Sequence, residues 1–175
     1  MGERLWGEKG ILIGNGYKEF ASFHDLHIMS DGSGGAFTIW SAYPEKPDFK
    51  QAPRQRQIPY LTHLGRVDTQ GNLLWQKEVR YVDNMVSDGG GGVIVGTDRN
   101  GEGTSSIVKI NADGTFSWGE DGVRVQCVDY SDHSFKMAAD GYGGVIFIWQ
   151  EGKTVSGEWV TLLYSQKINA EGNLL

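Results

Sequence analysis

The sequence predicts an all-β protein built from three copies of one four-stranded antiparallel unit. Composition is the first reason, because 26 glycines and six tryptophans but only four prolines, with 39% hydrophobic residues, are typical of short strands joined by tight turns. The other two reasons are sequence motifs, each of which occurs three times in the same order along the chain. No segment requires a helix.

The first motif is Asp-Gly-x-Gly-Gly, followed by apolar residues and ending in Trp in two of its copies. It occupies residues 31–40, 88–97 and 140–149, so its spacings are 88 − 31 = 57 and 140 − 88 = 52 residues. Glycine adopts the positive φ that a tight turn between antiparallel strands requires. Each copy therefore predicts a hairpin between the first two strands of a repeat, strands A and B.

The second motif is a turn of Gln-Gly, Asp-Gly or Glu-Gly that is followed by apolar residues and Trp. Its copies are residues 67–75, 110–118 and 168–175. The motif predicts the hairpin between strands C and D, and its third copy stops one residue before the tryptophan position.

The N-terminal segment matches strand D of the second repeat, since residues 5–12 align with residues 117–124. We therefore expect this segment to supply the outer strand that the third repeat lacks. The apolar residues that would close the sheet are Leu5, Trp6, Ile11 and Ile13.

Runs rich in Val, Ile, Tyr, Phe and Trp predict the strands between these turns. The first repeat has strands at 24–30, 36–42, 58–67 and 73–79. The second has them at 81–87, 93–97, 105–110 and 116–125, and the third at 133–139, 145–150 and 159–168, with strand D begun at Asn173. The predicted domain organisation is one unit over 1–175, with a closing strand in 1–20 and repeats at 21–80, 81–126 and 127–175.

A radial repeat of four-stranded units with a period near 50 residues predicts a β-propeller, in which each repeat is one blade. The two paired motifs resemble the blades of bacterial β-propellers, and these blades resemble those of PQQ-like and WD-repeat-like propellers. The C–D hairpin also resembles the PQQ-type repeat of quinoprotein-like propellers. The resemblance covers essentially the whole chain. It implies a fold and leaves the activity open, because propellers host binding, scaffolding and catalysis alike.

Three blades are too few to close a ring, which typically needs about four to eight. An open arc of three would expose an apolar sheet face at each end and a bare edge on the last strand C. We therefore expect a six-bladed homodimer in which the N-terminal strand of each chain completes the third blade of the other. Two alternatives stay open: a piece of a longer propeller, and a ring completed by other chains.

Polar residues recur on the innermost strand and are candidates for binding a ligand in the central channel. They lie seven and four residues before the motif aspartates: His24, Tyr81 and His133, and His27, Asn84 and Lys136. A ring of such residues could hold an anion or a metal, but a water-filled structural channel accounts for the same pattern. No metal site and no cofactor are therefore predicted.

The three B–C loops, at 43–57, 97–104 and 151–158, are expected to emerge on one face, where binding usually resides. The longest is the predicted partner loop, and a solvated surface loop is the alternative. Its candidate contact residues are Tyr43, Phe49, Arg54 and Arg56.

Charge and composition narrow the functions further. A net charge of −6 argues against nucleic-acid binding, and no run of about 18 apolar residues predicts a membrane helix. The chain has no recognisable secretion signal, and its single cysteine, Cys127, excludes an intrachain disulfide.

No catalytic residues are predicted. The expected function is binding or scaffolding, and the alternative is a glycan-active hydrolase or lectin-like binder that uses the B–C loop face, with Trp159 as a sugar-stacking candidate.

Overall fold

Every regular element in the described part of the chain is a β-strand, so the all-β class is confirmed. The structure, a computed structural model, describes residues 6–14, 24–42, 61–79, 82–98, 105–125 and 135–175. Neighbouring strands pair antiparallel in three separate sheets. Within these ranges, no helix has the length and apolar character to cross a membrane.

Each sheet is a meander in which consecutive strands are neighbours. Sheet 1 contains β1 (His24–Ser30), β2 (Ala36–Ala42), β3 (Leu61–Val67) and β4 (Leu73–Val79). Sheet 2 contains β5 (Val82–Ser87), β6 (Val93–Asp98), β7 (Ser105–Ile110) and β8 (Val123–Val125). Sheet 3 contains β9 (Lys136–Ala139), β10 (Val145–Val155) and β11 (Glu158–Ile168).

The predicted strand order and most predicted bounds are confirmed, and the last strand of sheet 2 is the main difference. A strand was expected over 116–125, but Phe116 forms only an isolated bridge to Ile110. The ladder resumes at β8, after a turn in which Gly119 and Gly122 have φ of 78° and 64°. These glycines divert the backbone, and the predicted strand is therefore interrupted.

The expected B–C loop at 151–158 is wrong, because β10 and β11 continue pairing as one long hairpin. Two residues join them, Ser156 and Gly157, with φ of 54° and 87°. Positive φ at both central positions is the geometry of a type I′ turn, whose twist matches the flanking strands. Of the other two predicted loops, 43–57 lies outside the described residues, and 97–104 is described only where β6 ends.

The three Asp-Gly-x-Gly-Gly turns have the same hydrogen bonds. Oδ1 of Asp31 accepts the backbone N–H of Ser33 at 2.8 Å and that of Gly35 at 2.9 Å. Asp88 and Asp140 accept the equivalent pairs. A side chain at Gly35 would overlap the Val67 carbonyl of the adjacent strand, so the motif also needs glycine for close packing.

The chain divides into two compact units, Met1–Val79 and Arg80–Leu175. The first contains sheet 1, and the second contains sheets 2 and 3. In the second unit the two sheets share one apolar core. Its buried members are Ile94, Ile107 and Val125 from sheet 2, with Phe135, Val145, Phe147 and Ile168 from sheet 3 or its approach.

Candidate interaction surfaces

A cation on strand C pairs with the turn aspartate of its own sheet in all three repeats. Nη2 of Arg66 lies 2.8 Å from Oδ2 of Asp31, and Nζ of Lys167 lies 2.8 Å from Oδ2 of Asp140. In sheet 2 the corresponding distance, from Lys109 to Asp88, is 3.5 Å. Sequence reasoning missed these pairs, although a Lys or Arg directly precedes each of the three copies of the second motif.

These contacts keep two turn aspartates ionised. Burial raises the pKa of Asp31, but hydrogen bonds from the Ser33 and Gly35 backbone, the Ser33 hydroxyl and Arg66 outweigh it, and the pKa is about 2. The hydrogen bond from Lys167 is the largest of several that lower the pKa of Asp140 to about 2. The turns at Asp31 and Asp140 therefore each carry a negative charge at neutral pH, paired with the cation of strand C.

The contact between sheets 2 and 3 places a tryptophan on the next C–D turn. Nε1 of Trp118 donates to the Ala170 carbonyl at 2.9 Å, and a Cβ at Gly172 would lie 2.9 Å from the indole Cδ1. Nζ of Lys109 also donates to the Gly143 carbonyl in the A–B turn of sheet 3, at 2.7 Å. The outer part of sheet 2 is thus anchored to both turns of sheet 3.

The N-terminal segment makes the same tryptophan contact with sheet 1. Nε1 of Trp6 donates to the Thr69 carbonyl at 2.9 Å, and a Cβ at Gly71 would lie 3.2 Å from the indole. By the repeat, Thr69 corresponds to Ala170 and Gly71 to Gly172, the residues that receive Trp118. At the end of the segment, a Cβ at Gly14 would lie 2.7 Å from Nε1 of Trp40. Residues 6–14 therefore lie against sheet 1 in the way that the outer part of sheet 2 lies against sheet 3.

The outer edge of β11 is largely open in the described residues. Its only neighbours there are near its end, where Ile168 bridges Leu174 and Lys167 accepts the N–H of Leu175 at 2.9 Å. In sheet 2 the same edge carries β8. Sheet 3 is thus a three-stranded sheet with room for a fourth strand.

Apolar side chains are exposed on one face of sheet 3 and on the first strand of sheet 1. In sheet 3 they are Ile146, Ile148 and Leu163, exposed by 41%, 39% and 74%. Leu26 and Ile28 in β1 are exposed by 68% and 73%. Clusters of this kind mark interaction surfaces more often than isolated exposed residues do.

The predicted channel residues are only partly described. His27 and Lys136 are exposed, and Asn84 is half-buried with its side-chain amide donating to the Phe135 carbonyl at 2.8 Å. For His24 the structure describes only the backbone, in β1. Tyr81 and His133 lie outside the described residues, so the channel ring stays a prediction.

Other predicted site residues also fall outside the described ranges: Leu5 of the closing segment, and Tyr43, Phe49, Arg54 and Arg56 of the partner loop. Ile11 and Ile13 are described, half-buried, in the segment that begins at Trp6. Trp159 is 69% exposed and lies against Gly152 of the same hairpin. No group of three His, Cys, Asp or Glu side chains in the described part of the chain is arranged to hold a metal ion.

No protein-family model matches the chain, and no curated protein matches it.

Proposed function

We propose that the chain is a binding or scaffold protein of the β-propeller type that assembles by strand exchange, with the N-terminal segment of one copy completing sheet 3 of another. The observation that carries the proposal is the shared tryptophan contact, in which Trp6 occupies on sheet 1 the place that Trp118 occupies on sheet 3. A segment held in that place is the outer strand of a preceding blade. Sheet 3 is the blade that lacks one.

The pairing of β8 with β7 predicts the register of the exchanged strand. Val123, Arg124 and Val125 lie opposite Ile107, Ser106 and Ser105. Transferred through the repeat, Ile11 lies opposite Ser165, Leu12 opposite Tyr164 and Ile13 opposite Leu163.

The burial of the N-terminal segment supports this register. Ile11 and Ile13 are half-buried against sheet 1, whereas Leu12 between them is 87% exposed. In β8, Arg124 is likewise exposed between two valines that are more buried. The segment thus has the alternation of a strand with one face packed, before any partner strand is present.

Strand exchange gives the assembly both affinity and closure. An added strand satisfies the open N–H and C=O groups of β11 by main-chain hydrogen bonds, the mode of recognition known as β-augmentation. Two chains of three blades give six, within the range of about four to eight that closes a propeller. The closed ring is the scaffold on which the predicted channel and loops would bind a ligand.

Light scattering on a sizing column tests the assembly. We expect a mass of about twice the 19.3 kDa of the chain.

Disulfide cross-linking tests the register. In a Cys127→Ser background, oxidising the Ile13→Cys/Leu163→Cys variant is expected to give a covalent dimer, since directly opposed residues are within disulfide reach. The matched control is Ile13→Cys/Ser165→Cys, two residues out of register. A mass of one chain, or equal cross-linking of both variants, would contradict strand exchange.

One observation favours a second candidate, carbohydrate binding at the β10–β11 hairpin. Trp159 is largely exposed on the two-stranded hairpin, and aromatic rings of this kind provide a large flat apolar surface. Titration with a panel of oligosaccharides, followed by tryptophan fluorescence in the wild type and in Trp159→Ala, tests it. Identical responses of the two proteins would exclude this site.

A further inference from the structure

The packing of sheet 2 on sheet 3 shows how one repeat receives the next. Gly96 in β6 has no side chain, and the ring of Phe135 occupies the space where one would stand. Beside it, Ile94 is fully buried in the same core, against which Met137 packs. The contact therefore consists of one face of a B strand and the side chains that lead into and along the next A strand.

The two halves of this contact recur on other sheets of the chain, and both are exposed there. In sheet 3, the equivalents of Ile94 and Gly96 are Ile146 and Ile148, exposed by 41% and 39%. In sheet 1, the equivalents of Phe135 and Met137 are Leu26 and Ile28. Their exposed fractions are 68% and 73%. Residues that form the buried contact between sheets 2 and 3 therefore have exposed equivalents. One half of the contact is exposed on the B strand of sheet 3, and the other half on the A strand of sheet 1.

A polar contact is repeated in the same way. Lys109 of sheet 2 reaches the Gly143 carbonyl in the next A–B turn at 2.7 Å. The equivalent lysine of sheet 3 is Lys167, whose side chain is 37% exposed, and the equivalent acceptor in sheet 1 is Gly34. Lys167 lies beside Ile146 in the ladder, so it borders the same apolar face.

The geometry points to a second copy of this chain as the partner that covers both faces: Ile146, Ile148 and Leu163 of one copy pack on Leu26 and Ile28 of the other. The inference rests on the proposed function and deepens it, because it names the side chains that meet when the ring closes. The N-terminal segment already lies on sheet 1 as the outer strand of a preceding sheet. The other strands of that preceding sheet, which is sheet 3 of the second copy, would pack on Leu26 and Ile28.

The register of the exchanged strand leads to the same arrangement. With Ile13 opposite Leu163, both side chains point to the face that carries Ile148, because opposed residues of an antiparallel pair share a face. Ile13 belongs to the segment that packs on sheet 1, so this face of sheet 3 is directed toward sheet 1 of the copy that donates the strand. The expected central contact is Ile148 against Leu26, with Lys167 donating to the Gly34 carbonyl at the rim.

Charge substitutions test the pairing of the two faces. We expect Leu26→Lys and Ile148→Glu each to weaken the dimer by about 30-fold or more, as for central interface residues, and Leu26→Lys/Ile148→Glu to recover most of the loss. Sedimentation at a series of concentrations measures the dissociation constants. Val155→Glu, at an exposed apolar residue near the turn of the same hairpin, is the matched control and should leave the constant unchanged.

The outcomes separate this inference from the proposed function. If the wild type has the mass of one chain, both fail. If it is a dimer and the single variants dimerise as tightly as the wild type, the face packing is wrong while strand exchange stands. Weakening by both without recovery in the double variant would overturn the Leu26–Ile148 pairing. Because both residues are exposed in the single chain, thermal unfolding of the dissociated variants should match that of Val155→Glu diluted to the same state.

Discussion

Replacing Asp31 is the sharpest test of how the A–B turn stabilises its own sheet. Its carboxylate is 2% exposed and accepts hydrogen bonds from Ser33, Gly35 and Arg66, the last through Nε at 3.1 Å and Nη2 at 2.8 Å. Asp31→Ala leaves two backbone donors and a guanidinium that is 12% exposed without this acceptor. Removing one partner of a buried pair costs about 3–5 kcal/mol, and we expect a loss of that size in the free energy of unfolding.

Two further variants separate the turn from the ion pair. Asp31→Asn retains an acceptor for the turn but loses the charge, so we expect a smaller loss of about 1.5–3 kcal/mol. Asp31→Asn/Arg66→Met removes both charges and should recover part of that loss, because the guanidinium that has lost its carboxylate is no longer present. Asp68, which caps the next turn and is less buried than Asp31, provides the control: Asp68→Asn should have a smaller effect than Asp31→Asn.

Urea unfolding at pH 7, followed by tryptophan fluorescence, measures these differences. The pH dependence gives a second readout. The pKa of Asp31 is lowered from 3.8 to about 2 in the folded state, so its contribution is complete above the ordinary pKa and is lost as the pH falls through about 4 to 2. Asp31→Asn should lose less stability than the wild type across that window. An Asp31→Ala variant within about 0.5 kcal/mol of the wild type would refute the reasoning.

Three other outcomes are expected. Ser156→Asn should raise the free energy of unfolding by about 0.5 kcal/mol and Ser156→Val lower it, because the residue has φ of 54° and asparagine accepts that conformation; thermal unfolding measures both. Gly96→Leu should lower the free energy of unfolding of the second unit by about 1–3 kcal/mol, as measured by urea unfolding, since the leucine side chain would overlap the ring of Phe135. Lys167→Met should raise the pKa of Asp140 toward 3.8, which an NMR titration of that carboxyl would detect.

The candidate site could be predicted only in part. The N-terminal segment, the missing outer strand and the existence of exposed apolar faces followed from the repeat, because an incomplete repeat leaves a defined group of residues without its neighbour. The residues that make the contact did not follow. Leu26 and Ile148 are 122 positions apart in the chain (148 − 26), and only their equivalence to Phe135 and Gly96 in a packed pair of sheets relates them.

The sequence by itself determined the three repeats, the order of strands and the position of every A–B and C–D turn. These features are local: an Asp or Asn side chain caps its own turn, and glycine at Gly32 or Gly71 takes the positive φ that the chain reversal needs.

Only the tertiary structure decided which side chains meet across strands and sheets. The strand C cations reach the turn aspartates, the third repeat extends into a long hairpin, and Trp6 lies on the C–D turn of sheet 1. Each of these contacts joins residues distant in sequence or depends on the twist of a whole hairpin. Motif spacing marks the position of the strand C cations but does not identify their partners, because packing selects among several partners that are equally suitable in composition.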